Sequence, residues 1–263
     1  MRILVTNDDG ILAPGLAALH AIVADLGEVT VVAPSSPQSA TGHGITLEGP
    51  LVTERVHVQK RFWGVSVAGR PADCVKLAMH EFIDAPVDLV VSGINPGLNV
   101  GVNVLYSGTV AAAAEGAIMG AAAVAFSMAR SEEMDFELAG RYCRKILDVL
   151  LAGDLKPGHL VNVNLPRLDG RPPRGVIVAR QAVAGIHESY DSRTDADGRK
   201  SFYLTDEYGF KDPHPESDVV AVHEGYITVT PLHVDLTDTS RMTALTGLNW
   251  DEMSLEGQDP DRE

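Results

Sequence analysis

Arg2-Ile3-Leu4-Val5-Thr6-Asn7-Asp8-Asp9-Gly10 opens this chain of 263 residues. Ile3, Leu4 and Val5 are apolar and β-prone, and Arg2–Thr6 is predicted as a short buried strand that runs into a turn. Pro14 then starts a helix with Leu16, Leu19, Ile22 and Leu26 on one face. Glu28–Ala33 is a second apolar strand, stopped by Pro34. Strand, helix and strand in that order predict a parallel sheet covered by helices.

The pattern continues outward from this unit. Leu47–Val58 and Phe62–Val67 read as antiparallel strands, and Pro71 begins a helix offering Val75, Leu77, Ala78 and Phe82 to a core. Asp88–Ser92 is a third buried strand, followed by a Gly- and Asn-rich loop and an Ala-rich helix from Thr109. Ala121–Ser127 and His159–Asn164 read as strands, with an amphipathic helix over Phe136–Leu151 between them. Gly185–Pro215 is polar and rich in Asp, Tyr and His; Asp195–Arg199 within it suits a turn between two strands. Val219–Val222 and Tyr226–Pro231 read as strands returning to the body, and Ser254–Glu263 as a frayed acidic end. The predicted fold class is α/β, a mostly parallel sheet flanked by helices with a protruding β-hairpin arm. The predicted organisation is a catalytic core over 1–180, an arm over 181–218, and returning strands with a C-terminal segment over 219–263.

Composition narrows the function classes. A formal charge of −15 disfavours binding of long nucleic acids, and no Lys/Arg cluster offsets it. A small phosphorylated substrate remains compatible, because one bound cation reverses the local field. No stretch approaches a membrane span, and no signal peptide is read at the N-terminus. The two cysteines, Cys74 and Cys143, sit in apolar helical patterns and read as reduced core thiols, which predicts a cytoplasmic protein.

Ligands of open parallel sheets bind beyond the carboxyl ends of the strands. A dinucleotide-binding protein would place a Gly-rich turn after the first strand; this chain places Asn7-Asp8-Asp9-Gly10 there. Two adjacent carboxylates repel each other and would repel phosphate. A hard cation such as Mg²⁺ or Mn²⁺ takes oxygen ligands and relieves both repulsions, whereas the plainer reading is a turn and a helix cap. Asn95 and Asn99, in Ser92–Gly101 after the third strand, offer neutral oxygens and amide donors at the same edge. Ser107, Gly108 and Thr109 precede the Ala-rich helix, where hydroxyls and unpaired backbone N–H groups suit an anion, or simply a cap. Ser39 lies in the loop after the second strand, and His43, between Gly42 and Gly44, reads as an ordinary loop histidine with facing the site as the alternative. Ser107 lacks the GxSxG setting of a serine hydrolase, and no HExxH-type spacing occurs among the nine histidines.

Taken together, these motifs resemble the SurE nucleotidase family. The resemblance rests on Asn7–Gly10, Ser39 after Val31–Pro34, Pro71–Val75, Ser92–Asn95 with Gly97 and Asn99, Tyr106–Val110 through Glu115-Gly116, Gly225-Tyr226 and Thr230–Leu232. It implies a Rossmann-like core and one divalent cation per subunit, Mg²⁺ or Mn²⁺, held by Asp8, Asp9, Ser39 and Asn95. It implies phosphate or substrate contacts from Asn7, Asn99, Ser107, Gly108 and Thr109, with Asp8 or Asp9 as the catalytic carboxylate. The implied reaction is hydrolysis of nucleoside 5′- and 3′-monophosphates, with short polyphosphate as a further substrate. The implied assembly is a homodimer or homotetramer built with the hairpin and a C-terminal oligomerisation segment. Two positions depart from many relatives: no acid occurs at Val102-Asn103, and Arg70 stands where Gly-Thr-Pro is usual. The competing readings are a regulator that binds metal and nucleotide without turnover, and a haloacid-dehalogenase-like phosphatase. The latter spaces its acids two apart, whereas Asp8 and Asp9 are adjacent.

Overall fold

A computed structural model describes residues 1–58, 61–183, 186–205 and 209–250. The elements run β1 (Arg2–Thr6), α1 (Pro14–Val23), β2 (Glu28–Pro34), β3 (Thr53–Val58), β4 (Phe62–Val67), α2 (Pro71–Leu77), β5 (Leu89–Pro96), α3 (Gly108–Ile118), β6 (Ala122–Met128), α4 (Phe136–Ala152), β7 (Leu160–Leu165) and β8 (Val176–Val178). They continue with β9 (Ile186–His187), β10 (Tyr190–Thr194), β11 (Lys200–Leu204), β12 (Gly209–Phe210), α5 (Asp218–His223), β13 (Ile227–Leu232) and α6 (Thr239–Thr246).

Nine strands form one sheet in the order β3-β4-β2-β1-β5-β6-β7-β13-β8. From β4 to β7 every neighbour is parallel, and only the β3–β4 and β7–β13 pairs are antiparallel. Alternate side chains of each strand feed two separate cores, as a sheet covered on both faces requires. Ile3, Val5, Leu89 and Val91 point to the face covered by α1 and α4. Leu4 and Val90 point to the face covered by α2 and α3. The Ala-rich composition of α3 lets its backbone come close to the strands: a Cβ on Gly116 would lie 2.5 Å from a Val90 methyl. In α4 the buried set Ala139, Gly140, Cys143, Ile146 and Leu147 traces one face at helical spacing.

Several expectations are corrected. Val219–Val222 is helical, within α5: Ser217 caps the helix by accepting from Val220 N, and Val219 and Val222, one turn apart, are buried together. Short β-branched runs favour strands only when tertiary packing agrees. Phe82 is 38% exposed, because the helix after Pro71 widens into a π-turn over Ala78–Phe82 and swings it out of the apolar stripe. β3 begins at Thr53, so Leu47–Val52 precedes it as loop, while β5 continues past Ser92 to Pro96 through a register shift. The hairpin at Asp195–Arg199 is present: β10 and β11 pair antiparallel, and Asp195 and Arg199 close the turn.

By its internal contacts the chain divides into two units, Met1–Leu232 and His233–Glu263. The second contains α6, capped by Asp238, a helix the sequence reading did not foresee. The expected frayed end, Ser254–Glu263, lies outside the described residues. No described helix is long and apolar enough to cross a membrane. Cys74 and Cys143 are free and buried.

Candidate active site

The parallel strands β1, β2, β5 and β6 end at one edge of the sheet, and their loops converge there. After β1, Asn7 turns its side chain back on the chain: its Oδ1 accepts from Gly10 N at 3.2 Å, and its Nδ2 donates to Gly10 O at 3.0 Å. Gly10 takes φ +102°, a value an L side chain rarely adopts. Asn7, fully buried, thus shapes the turn that presents Asp8 and Asp9. The loop after β2 is fastened to the same turn by Gln38 N donating to Asp8 O at 2.8 Å.

Asp8 is almost buried and accepts a short hydrogen bond from the Thr109 hydroxyl. Helix α3 therefore begins directly against this carboxylate. The approach is close enough that a Cβ on Gly108 would lie 2.8 Å from Asp8 Cβ and 3.0 Å from Asp8 Oδ2. Ser107 caps the helix, its Oγ accepting from Val110 N at 3.1 Å. Burial pushes the Asp8 carboxyl above the ordinary aspartate range, and the bonds from Thr109 oppose that rise. Asp9 is pushed up to about 6, first by burial and then by repulsion from Asp8, against the pull of Arg130. Among the described residues the Asp9 carboxylate accepts no hydrogen bond. A half-buried acid without a donor, beside a second buried acid, is a site suited to a cation.

Asn95 stands just past the shift in β5. Its Nδ2 donates to Gly97 O at 2.8 Å, and its Oδ1 accepts nothing among the described residues. Gly93, before it, is required by contact: a Cβ there would lie 2.2 Å from Phe126 O. Asn99 is more deeply held than its place in a Gly-rich loop predicts. Its N donates to Asn164 Oδ1 at 2.8 Å, its Nδ2 to Ser127 Oγ at 2.8 Å, and its O accepts from Asn162 Nδ2 at 2.7 Å. Ser39 is exposed in its loop.

His43 turns away from the carboxylate pair. Its Nε2 sits 2.8 Å from Glu115 Oε2, and Lys76 Nζ reaches Glu115 Oε1 at 3.1 Å. Glu115, on α3, is buried and held below the usual glutamate range, chiefly by the His43 hydrogen bond and despite its burial. This ion group, with Gly42 N donating to Tyr106 O at 3.0 Å, fixes the loop that carries Ser39. Arg70 lies beneath the same loop: a Cβ on Gly44 would lie 2.1 Å from its guanidinium. Arg130 escaped the sequence reading. It follows β6 as a lone cation after a buried strand at this edge, and that placement was a usable signal. Its Nε donates to Pro96 O at 2.7 Å, which brings its charge beside Asp9.

Among the described residues no three His, Cys, Asp or Glu side chains converge as a metal cage. The oxygens assembled here are two carboxylates and neutral donors, a set suited to a hard cation that keeps waters rather than to zinc.

The family model of survival protein SurE matches residues 3–188. The chain is 44% identical over 237 residues to the 5′-nucleotidase SurE of Syntrophobacter fumaroxidans, covering 90% of this chain and 95% of that one. It is 44% identical over 250 residues to the 5′-nucleotidase SurE of Rhodopirellula baltica, covering 95% and 99%. The crystal structure of the SurE protein from Aquifex aeolicus superposes with a TM-score of 0.81 at 36% identity, covering 94% of this chain and 98% of that one. With the family model matching most of the chain and these relatives 44% identical over nearly its whole length, the chain belongs to the survival protein SurE family.

Proposed function

We propose that this chain is a divalent-metal-dependent 5′-nucleotidase, a phosphomonoesterase that converts nucleoside 5′-monophosphates to nucleoside and phosphate. Nucleoside 3′-monophosphates and short polyphosphate are further substrates of the same reaction type. The observation that carries the reading is the meeting of Asp8 and Asp9 with the N-terminus of α3. A carboxylate pair short of donors lies beside the positive end of a helix, so a cation and a phosphoryl group are both accommodated within one turn.

Asp8, Asp9, Asn95 and Ser39 would hold the cation, Mg²⁺ or Mn²⁺, one per subunit. When bound, it neutralises the carboxylates and withdraws electron density from a phosphoryl oxygen. Asp8 or Asp9 would orient the attacking water and take its proton. Thr109 holds Asp8 in one orientation, since its single hydroxyl proton is already donated to Oδ1. The backbone at Ser107–Thr109 faces the equatorial phosphoryl oxygens, with Asn99 locking the opposite loop. Asn7 acts by shaping the turn.

We propose further that the catalytic core spans 1–180, with 181–218 as an arm and 219–263 completing a homodimer or homotetramer. Two reduced, buried thiols suit a cytoplasmic protein. The deciding assay is phosphate release from nucleoside monophosphates with Mn²⁺ or Mg²⁺, then with EDTA. Release that EDTA abolishes and metal restores is expected; EDTA-insensitive release would remove the metal from the reaction, and none at all would leave a binding protein.

A further inference from the structure

The loop from β7 to β8 contains Arg167-Leu168-Asp169-Gly170-Arg171-Pro172-Pro173-Arg174, and nothing in the proposed chemistry uses it. Leu, Asp, Gly and two prolines separate its arginines, so the sequence shows no run of cations. The fold gathers them: Arg167, Arg171 and Arg174 line one cavity of about 500 Å³, with Leu98, Ala129 and Val222 as an apolar wall. The chain has 36 acidic side chains against 21 Lys and Arg, and other arginines find carboxylates. Arg144 pairs with Asp25 and Asp148, and Arg199 with Asp195 and Asp197. None of the three cavity arginines forms an ion pair among the described residues, although Asp169 and Glu224 line the same cavity.

Neutral groups position these guanidiniums and leave their charges uncompensated. Arg167 Nε donates to Arg130 O at 3.0 Å, and both its terminal nitrogens stay unbonded among the described residues. Arg174 N donates to Gly225 O at 2.9 Å and its Nη1 to Glu224 O at 3.2 Å, while its guanidinium carbon lies 4.7 Å from the Tyr226 ring centre. Pro172 and Pro173 restrict the backbone between Arg171 and Arg174. Asp169 and Glu224 dilute the field, so the cavity offers guanidinium forks rather than bulk charge. We propose that this cavity is a second anion site, which takes an anion carrying two or more linked phosphoryl groups. A guanidinium binds phosphoryl oxygens through paired hydrogen bonds, and three of them around one space exceed what a single phosphate engages. The volume falls in the range of small-molecule sites. Inorganic triphosphate and a nucleoside triphosphate share this chemistry, and the apolar wall would add affinity only for the base of the second. No lining residue belongs to the acid turn or to the start of α3, and the proposal does not rest on the nucleotidase reading.

The test is titration calorimetry with inorganic triphosphate and, separately, adenosine triphosphate, in EDTA at near-physiological salt. Without a cation, the Asp8–Asp9 pair repels both probes. Wild-type protein is expected to bind one inorganic triphosphate per chain with micromolar affinity. R171Q/R174Q should weaken this by at least about tenfold, as loss of charge-assisted hydrogen bonds does. Circular dichroism should be unchanged, and mononucleotide turnover with Mn²⁺ should stay within about twofold, since no contact to the reacting bond is lost. Arg171 makes no hydrogen bond among the described residues, so R171Q alone, with a severalfold loss, decides the matter if the double variant does not fold. Tighter binding of adenosine triphosphate would make a nucleoside triphosphate the ligand, and equal binding would make it the phosphate chain alone; either supports the site. No binding by wild-type protein, unchanged binding by the variants, or equal affinity for inorganic orthophosphate overturns it. Loss of turnover together with binding in a folded variant would place the arginines in the catalytic mouth, and likewise overturns it. If wild-type protein hydrolyses no mononucleotide, the nucleotidase reading fails, and the binding series still decides this site.

Discussion

The mouth of the sheet and the β10–β11 ribbon are opposite ways of arranging polar chain. At the mouth, Asn7, Asp8, Ser107 and Thr109 are buried, each is hydrogen-bonded, and Gly108 is there because no Cβ fits against Asp8. Along Tyr190–Thr194 and Lys200–Leu204 every residue is exposed, and Tyr190, Phe202 and Tyr203 show 61%, 66% and 51% of their surfaces. The mouth is held by its own core, and so can be stiff before any ligand arrives. The ribbon has no core beneath it, and its rings lie on a surface that only something else can cover.

The sharpest way to break this contrast is at Asp9. Asp9→Asn should reduce metal-dependent turnover by on the order of a thousandfold, as loss of a transition-state charge partner does. The fold should survive, because Asp9 accepts no hydrogen bond among the described residues and the exchange relieves its repulsion from Asp8. Turnover at saturating Mn²⁺, read beside circular dichroism, tests both halves. Near-normal turnover would remove Asp9 from the site.

Thr109→Val strikes one bond deeper. Losing a hydroxyl donor to a buried carboxylate costs about 1.5–3 kcal/mol, or roughly ten- to a hundredfold in kcat/KM. The pH dependence carries the diagnosis. Thr109 opposes the burial that raises the Asp8 carboxyl, so without it Asp8 titrates higher still and more of it is protonated at a given pH. The acid limb of the kcat/KM profile should move to higher pH, with the deficit shrinking as pH rises. An unchanged profile would mean that Thr109 acts only as part of the helix start.

How much of this was legible in the sequence depends on how local the cause is. The β1–α1–β2 unit, the acid turn and the hairpin at Asp195–Arg199 are set by strand periodicity, proline and turn residues, all readable at short range. The helical state of Val219–Val222 was not, because it depends on Ser217 as a cap and on the burial of Asp218 against Gly101, more than a hundred residues away in the chain. The same limit hid the contact of Arg130 with Pro96 and the pairing of His43 with Glu115. Each is chosen by a partner from another strand, loop or helix, and one-dimensional spacing carries no record of that partner. Phe210, within the stretch expected to form the arm, packs on Gly101 of the main body.

Glu115→Gln probes how far the stiffness of the mouth extends. The folded state holds this carboxyl below its ordinary value, chiefly through His43 and Lys76. A depressed folded value stabilises the protein above the unfolded glutamate range, and that contribution is lost as pH falls below that range and through the folded value. Tm of the variant should therefore drop at neutral pH, by about 2–4 °C per kcal/mol lost in a chain of this size. The gap from wild type should begin to close only below about pH 4.5, as the folded carboxyl takes up its proton. Turnover should fall only severalfold, through a looser Ser39 loop; a Tm gap independent of pH would mean that the carboxylate charge is not what holds the loop.

The smallest effect on turnover is expected from the largest deletion. Replacing Ser192–Leu204 with a short Gly/Ser linker removes Phe202, Tyr203 and most of the ribbon and leaves Phe210 packed against Gly101. Tyr and Phe are enriched at the centres of protein interfaces, because a ring buries much area at little conformational cost. The Arg193 guanidinium lies 4.9 Å from the Tyr203 ring centre, so one ring is already aligned by a cation on its own strand pair and presented outward. A ribbon that carries such rings with nothing of its own to bury them is expected to pack against a second subunit. The replacement should then give a particle with fewer subunits by light scattering, while phosphate release per chain stays within a few-fold of wild type. Unchanged subunit number would leave assembly to other surfaces. A smaller particle with abolished turnover would mean that a neighbouring subunit completes the site, and the mouth would then be less self-sufficient than its buried hydrogen bonds imply.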